Sequence, residues 1–190
     1  MNAINHFKTI TRHKMIVMKY CFKVGLYKQG LLHDLSKYSW VEFSAGIKYY
    51  QGNRSPNGVQ REIEGVSTAW LHHKGRNRHH NEYWIDYNID GGEKILCGMK
   101  MPKKYVVEMF IDRMAACKNY EKEKYTDSSP LAYYTKGKHY CIIHEDTKNL
   151  LELLLNKLSI DGEEKTLIYI KNIVLSKNFK YWKVIDNSIF

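Results

Sequence analysis

Apolar residues near the start of the chain recur at steps of three and four, which is the spacing of one face of a helix. The residues in this register are His6, Ile10, His13, Val17, Tyr20 and Val24. The pattern predicts a helix from about Asn5 to Lys23 and places His13 on the same face as the apolar side chains. We leave His6 as a structural residue of that face.

Helical patterns and breaks then alternate through the first half of the chain. Residues 31–50 favour short helices, and QGNRSPNG at 51–58 contains the glycine and proline residues typical of a loop. A helical pattern returns from Val59 to Leu71. Gly75 is placed to end this helix, which leaves the pair His72-His73 in its last turn.

A long helix is predicted in the second half, because Pro102 suits a first helical turn and residues 103–125 contain no helix breaker. Asp112 lies close to the packed face of this helix, three residues after Met109. A second boundary at TDSSP favours a helix start at Ser129.

The C-terminal third continues this helical character. LLELLLNKL reads as a packed helix, and TLIYIKNIVL fits a helix or a strand by periodicity. We predict a helix because its neighbours are helical. The expected fold is therefore all-α, with a helical domain over residues 1–125 and a helical extension over 126–190 packed on it as one structural unit.

Composition favours a globular chain with anionic partners. The 190 residues are 44% hydrophobic, and 30 Lys and Arg against 20 Asp and Glu give a formal charge of +10. Such a charge favours nucleotides, nucleic acid or an acidic membrane surface. No segment reaches the roughly 18 apolar residues of a membrane span, and no signal peptide is evident, so we expect a cytoplasmic protein without a membrane. The four cysteines form no C-x-x-C pair, and we expect reduced thiols.

Imidazole and carboxylate side chains occur in an order that suggests a metal site. They are His13, the pair His33-Asp34, the pair His72-His73, and Asp112. Mixed nitrogen and oxygen ligands suit Mn, Fe, Co, Ni or Zn, or Mg where water completes the shell. Residues on several helices can converge inside a bundle, so we expect one or two divalent ions. Taken singly, His13 is more often a hydrogen-bonded core residue, and Asp112 could pair with a basic side chain.

Four of the nine histidines lie in TAWLHHKGRNRHHNE at residues 68–82, interleaved with basic residues. Guanidinium groups bind phosphate oxygens well, so Arg76 and Arg78 indicate a phosphate-binding surface at the edge of the site. The alternative is a solvated basic loop. Tyr83 and Trp84 could stack a base or anchor the following segment in the core.

The order His13, His33-Asp34, Asp112 resembles the HD-domain metal-dependent phosphohydrolase superfamily, which is named for its His-Asp pair, over about residues 5–125. The resemblance implies an HD-like helical bundle in which these four residues bind the principal metal. Lys37, in HDLSK, matches the phosphate-contacting lysine of the HD-x-x-K variant. LLHDLSKYSWVEF and AWLHHKGRNRHHNEYW are also similar to a family of small bacterial and phage proteins of unassigned function.

The resemblance also gives the His-His pairs expected roles. His72 and His73 match a pair that completes a second metal site in two-metal members of the superfamily. Alternatively, they would act with Asp34 to orient the metal-bound water that attacks the substrate. A separate histidine between Asp34 and His72 is missing. His79 or His80 could replace it, or the chain could hold one ion and use these imidazoles for acid, base or phosphate contacts. We favour placing His79 and His80 beside the substrate or behind the metal ligands, where they would orient them.

The resulting hypothesis is a metal-dependent phosphohydrolase, either a phosphatase or a phosphodiesterase. It would act on a nucleotide or another small phosphate ester with a metal-bound water as nucleophile. A nucleic-acid-binding module is one alternative, and its affinity would survive chelation and Asp34→Ala. An HD scaffold that binds a nucleotide without turnover is another. The resemblance also implies a homodimer, since HD-type proteins often pair.

Overall fold

The computed structural model describes residues 1–89 and 95–181 of the chain. Within these ranges the backbone forms nine α-helices, several single 3₁₀ turns and one short hairpin. The helices are α1 (Asn2–Lys23), α2 (Tyr27–Leu32), α3 (Trp40–Lys48), α4 (Pro56–Glu64), α5 (Thr68–Lys74), α6 (Lys103–Glu121), α7 (Ser129–Gly137), α8 (Glu145–Asp161) and α9 (Glu163–Tyr169). The predicted all-α fold is confirmed.

The core forms around α6, which is buried on most sides. Its buried residues include Phe110 and Met114, and they meet Val17 of α1 and Leu154 of α8 in one hydrophobic cluster. Full burial of a side chain of this size contributes about 1.5–3 kcal/mol. The cluster fixes α1 against α6, and these are the helices that carry His13 and Asp112.

The single helix predicted from Val59 to Leu71 is wrong. Helix α4 begins at Pro56, inside the predicted loop, and it ends at Glu64. Gly65 then adopts a left-handed conformation with φ 76°. The Ser67 hydroxyl accepts the backbone N–H of Trp70 at 3.1 Å and caps a new helix, α5. This break sets the direction of the helix that carries His73.

A two-stranded antiparallel hairpin follows, which the sequence analysis did not predict. Strands β1 (Ile85–Tyr87) and β2 (Leu96–Gly98) are three residues long and pair with Ile85 opposite Gly98. A Cβ atom at Gly98 would lie 2.6 Å from the backbone nitrogen of His144. The hairpin therefore packs against the chain just before α8.

The remaining helix predictions agree with the structure except at their ends. The predicted helix over 103–125 stops at Glu121, and Lys122 has a φ of 54°. Helix α7 begins at Ser129 as predicted, and TLIYIKNIVL is helical, with α9 passing into a π-helical turn over Ile170–Val174. None of the described helices is both long and apolar enough to span a membrane.

Candidate metal centre

The first group of ligand-type atoms lies where α1, the end of α2 and α6 meet. His13 belongs to α1, His33 ends α2, Asp34 follows it, and Asp112 belongs to α6. One ligand atom from each of these four residues lies within 4.8 Å of the others. The structure thus brings together the four residues that the sequence analysis assigned to the principal metal, and we call them the principal group.

Asp34 has the unusual backbone conformation of this region. It adopts a left-handed conformation, with φ 54° and ψ 25°, between α2 and the 3₁₀ turn Leu35–Tyr38. Aspartate adopts the left-handed conformation more readily than most residues, although the conformation still costs free energy. The kink lets the chain turn sharply after His33, and the Asp34 side chain is almost fully buried.

A second group of ligand-type atoms shares Asp34 with the first. It contains Asp34, His73, His79 and His80, all buried. His73 Nε2 lies 3.3 Å and His79 Nε2 lies 3.5 Å from Asp34 Oδ1. On the other side, His33 Nε2 lies 3.2 Å from Asp34 Oδ2. The two oxygens of one carboxylate therefore face two different groups of imidazoles, and we call the second set the shared-Asp34 group.

Several of these buried atoms have no hydrogen-bond partner. They are both Asp34 oxygens and the Nε2 atoms of His13, His33 and His79. The short distances between these atoms do not have hydrogen-bond geometry. Leaving a buried polar group unsatisfied costs about 1–3 kcal/mol of free energy. Imidazole and carboxylate donors aimed at a common space are the chemistry of a divalent metal site. The buried clusters could therefore hold metal ions.

Comparison with known protein families matches residues 2–157 to DUF5662, a family of unknown function. The chain belongs to this family. The match covers both groups of ligand-type residues and ends inside α8. No curated protein and no solved structure gives a match to the chain.

Glu108 orients two histidines of this DUF5662 protein. Its Oε1 accepts a hydrogen bond from Nδ1 of His33 at 3.0 Å and lies 3.3 Å from Nδ1 of His79. Both rings therefore turn Nε2 toward Asp34, as in carboxylate–histidine–metal arrangements. Glu108 is absent from the predicted site, although it lies one helical turn before Asp112 and on the same side of α6.

Glu42 separates the roles of His72 and His73. One oxygen accepts Nδ1–H of His72 at 2.7 Å, and the other accepts Nδ1–H of His73 at 2.8 Å. His73 thereby turns Nε2 toward Asp34, whereas His72 joins neither group. The predicted site gives the two histidines the same role and does not include Glu42.

The charges around Asp34 favour its ionised form. Burial opposes ionisation, but His33 and Lys37 hold the pKa of the Asp34 carboxyl well below its usual range. Burial lowers the pKa of His13, and burial together with His79 lowers the pKa of His80 well below 6.5. Both rings are therefore neutral near pH 7, which is the form that binds metals. Burial also disfavours the charged forms of His33 and His73, but the Asp34 carboxylate raises the pKa of both rings, so metal binding there would release protons.

The DUF5662 chain places the expected phosphate contacts at different sites. Lys37 Nζ lies 2.5 Å from Asp34 Oδ2, beside the principal group. Arg76 and Arg78 are exposed and line a cleft. His79 and His80 are both buried among the ligand-type atoms around Asp34, and His79 also lines the cleft.

Proposed function

We propose that this DUF5662 protein is a metal-dependent phosphohydrolase with an HD-like helical bundle that acts on a nucleotide or another small phosphate ester. The observation that carries the proposal is the buried Asp34 carboxylate, whose two oxygens face two groups of imidazoles, with Oδ2 also paired to the Lys37 ammonium. The principal group would hold one divalent ion, and the shared-Asp34 group would hold a second, with Asp34 common to both. His79 and His80 then become ligands rather than substrate contacts.

Bound divalent ions lower the pKa of water and neutralise charge that develops on a phosphoryl group. The chain's own residues would bind and orient the ester. Within the principal group the Asp112 side chain is the most exposed, at 14%, and the neighbouring Lys37 side chain is 26% exposed. A phosphate would therefore approach from this side, where the Lys37 ammonium can bind a phosphate oxygen.

Metal analysis combined with a substrate panel tests this proposal. Purified chain is assayed for bound metal and then, with Mn, Fe, Co, Zn or Mg, for hydrolysis of nucleoside mono-, di-, tri- and cyclic phosphates. We expect up to two ions per chain and turnover of at least one substrate class. Asp34→Asn should lose both ions and the turnover, whereas Asp86→Asn, an exposed aspartate of β1, should keep them.

The outcomes separate the parts of the proposal. Metal content unchanged in Asp34→Asn would reject the metal site. Bound metal without turnover of any phosphate ester would reject the reaction and favour a scaffold that binds a nucleotide without hydrolysing it.

A further inference from the structure

A basic cleft lies behind the shared-Asp34 group. It has a volume of about 200 Å³ and lies between α2, the segment after α5 and the first turns of α6. Asn77, His79 and Glu108 lie in it, and Gln29 and Tyr105 add polar atoms. Its four cations are Lys28, Arg76, Arg78 and Lys104. We call this feature the basic cleft.

No carboxylate in residues 1–89 and 95–181 forms an ion pair with any of these four cations. The guanidinium of Arg76 donates to the His72 carbonyl, and that of Arg78 contacts the Tyr105 hydroxyl at 3.5 Å. Among the described residues Glu108 is the only carboxylate that lines the cleft, and its Oε1 contacts Nδ1 of His33 and of His79. Four cations around one concave surface create a positive potential that favours an anion.

The cations differ in what they recognise. The Arg76 and Arg78 guanidinium groups can each bind two phosphate oxygens, whereas the Lys28 and Lys104 ammonium groups act as point charges. One phosphate carries at most two charges at neutral pH, so it would leave part of this positive charge unneutralised. Several linked phosphates match four cations better. Lys37 does not line this cleft, so phosphates bound here would occupy a different place from the phosphate proposed beside Asp112.

We propose that the basic cleft binds a polyphosphate anion of at least two linked phosphates. This binding does not depend on the metal chemistry, because none of the four cations belongs to either group of ligand-type residues. The cleft is lined by His79 and its partner Glu108, so an anion bound in the cleft would change the electrostatic environment of the shared-Asp34 group. The anion could be the distal phosphates of the substrate or a separate molecule.

Calorimetric titration of the full chain with Mg²⁺-saturated inorganic tripolyphosphate tests the binding. The variant Arg78→Ala/Lys104→Ala removes two cleft charges, and Lys8→Ala/Arg12→Ala removes two exposed charges from α1 as a matched control. We expect one saturable site that weakens about tenfold or more in the cleft variant and little in the control, because charge-assisted contacts are lost only there. No saturable binding, or equal weakening in both variants, would overturn the proposal. If tripolyphosphate removes metal from the protein, the resulting heat is the same for both variants and does not contribute to the difference between them.

Kinetic measurements on the same variants then identify the source of the phosphates. If the cleft variant raises KM for triphosphate substrates but not for monophosphate esters, the cleft holds the substrate's own distal phosphates. If tripolyphosphate changes kcat for a monophosphate ester in the control variant but not in the cleft variant, it binds as a separate effector. If no phosphate ester is hydrolysed, the proposed function fails while the titration still decides the binding.

Discussion

Glu108 links the two groups of ligand-type residues through one carboxylate oxygen. This oxygen contacts Nδ1 of His33 in the principal group and Nδ1 of His79 in the shared-Asp34 group. Glu42, by contrast, contacts only His73 among the grouped residues. The two glutamates therefore provide matched tests of how ring orientation affects each group.

Glu108→Gln should weaken metal binding at both groups by about 10–100-fold, since loss of such an outer carboxylate has effects of this size. Glu42→Gln should weaken only the site that contains His73. Metal titration of each variant, with circular dichroism to confirm the fold, measures these effects. If the two variants give the same profile, the separate roles assigned to the glutamates are wrong.

His6 should make the stability of the protein depend on pH. Burial, with a smaller effect from Lys37, lowers its pKa to about 4. Because the unfolded chain has a pKa near 6.5 at this residue, it binds more protons than the folded state between these values. The His6 contribution is therefore fully present above about pH 6.5 and is lost as pH falls toward 4, by up to about 3 kcal/mol.

Urea unfolding at pH 7 and at pH 4.5 measures this dependence, with His6→Gln as the comparison. Glutamine cannot take up the proton, so the variant should lose less stability on acidification than the native chain does. Identical losses would show that His6 does not titrate in this range.

The contact between α1 and α3 requires a glycine. A Cβ atom at Gly46 would overlap the His6 ring, whereas a Cβ atom at Gly58, in α4, would meet no atom within 4 Å. Gly46→Ala should therefore lower the free energy of unfolding by about 1–3 kcal/mol through overpacking. Gly58→Ala should raise it by about 0.4–1 kcal/mol, because alanine restricts the unfolded chain.

Thermal unfolding of the two variants checks this prediction, and the opposite signs make each the control for the other. A neutral Gly46→Ala variant would mean that α3 can move away from α1 at little cost.

Helices α1 and α6 could be predicted because their patterns are long and their chain breaks are clear. The break at Gly65 and Ser67 was missed, although glycine and serine are the usual residues at a helix end and a helix start. The hairpin could not be predicted, because strands of three residues have too few positions to show alternation.

The candidate site was predicted only in part. His13, His33, Asp34 and Asp112 could be assembled from their order, whereas Glu42 and Glu108 depend on how separate helices approach in three dimensions. The separation of His72 from His73 has a simpler cause. Adjacent residues on a helix with 3.6 residues per turn point about 100° apart, so the two rings cannot readily face one ion.

Across the whole molecule, the candidate ligands come from segments that are distant in sequence. His13 and Asp112 lie about 100 residues apart in the chain, and the two groups together form only when α1, the end of α2, α5 and α6 pack against one another. A metal ion bound there would stabilise the folded state alone.

Divalent metal should therefore raise the melting temperature, and chelation should lower it. An ion at 100 times its Kd adds about 2.7 kcal/mol to the free energy of unfolding. Calorimetry of the native chain and of Asp34→Asn, with and without metal, measures the difference. A similar metal-induced rise in Asp34→Asn would place the binding elsewhere.

The left-handed backbone at Asp34 has a consequence for any attempt to improve the protein by selection. A non-glycine residue in this conformation costs about 1–2 kcal/mol, which glycine would relieve. Glycine would also leave the Lys37 ammonium without its carboxylate partner, and loss of one partner from a buried ion pair is strongly destabilising. A screen that rewards heat resistance alone would therefore retain Asp34 whether or not metal is bound, so a thermostable library of this protein must be assayed for metal binding separately.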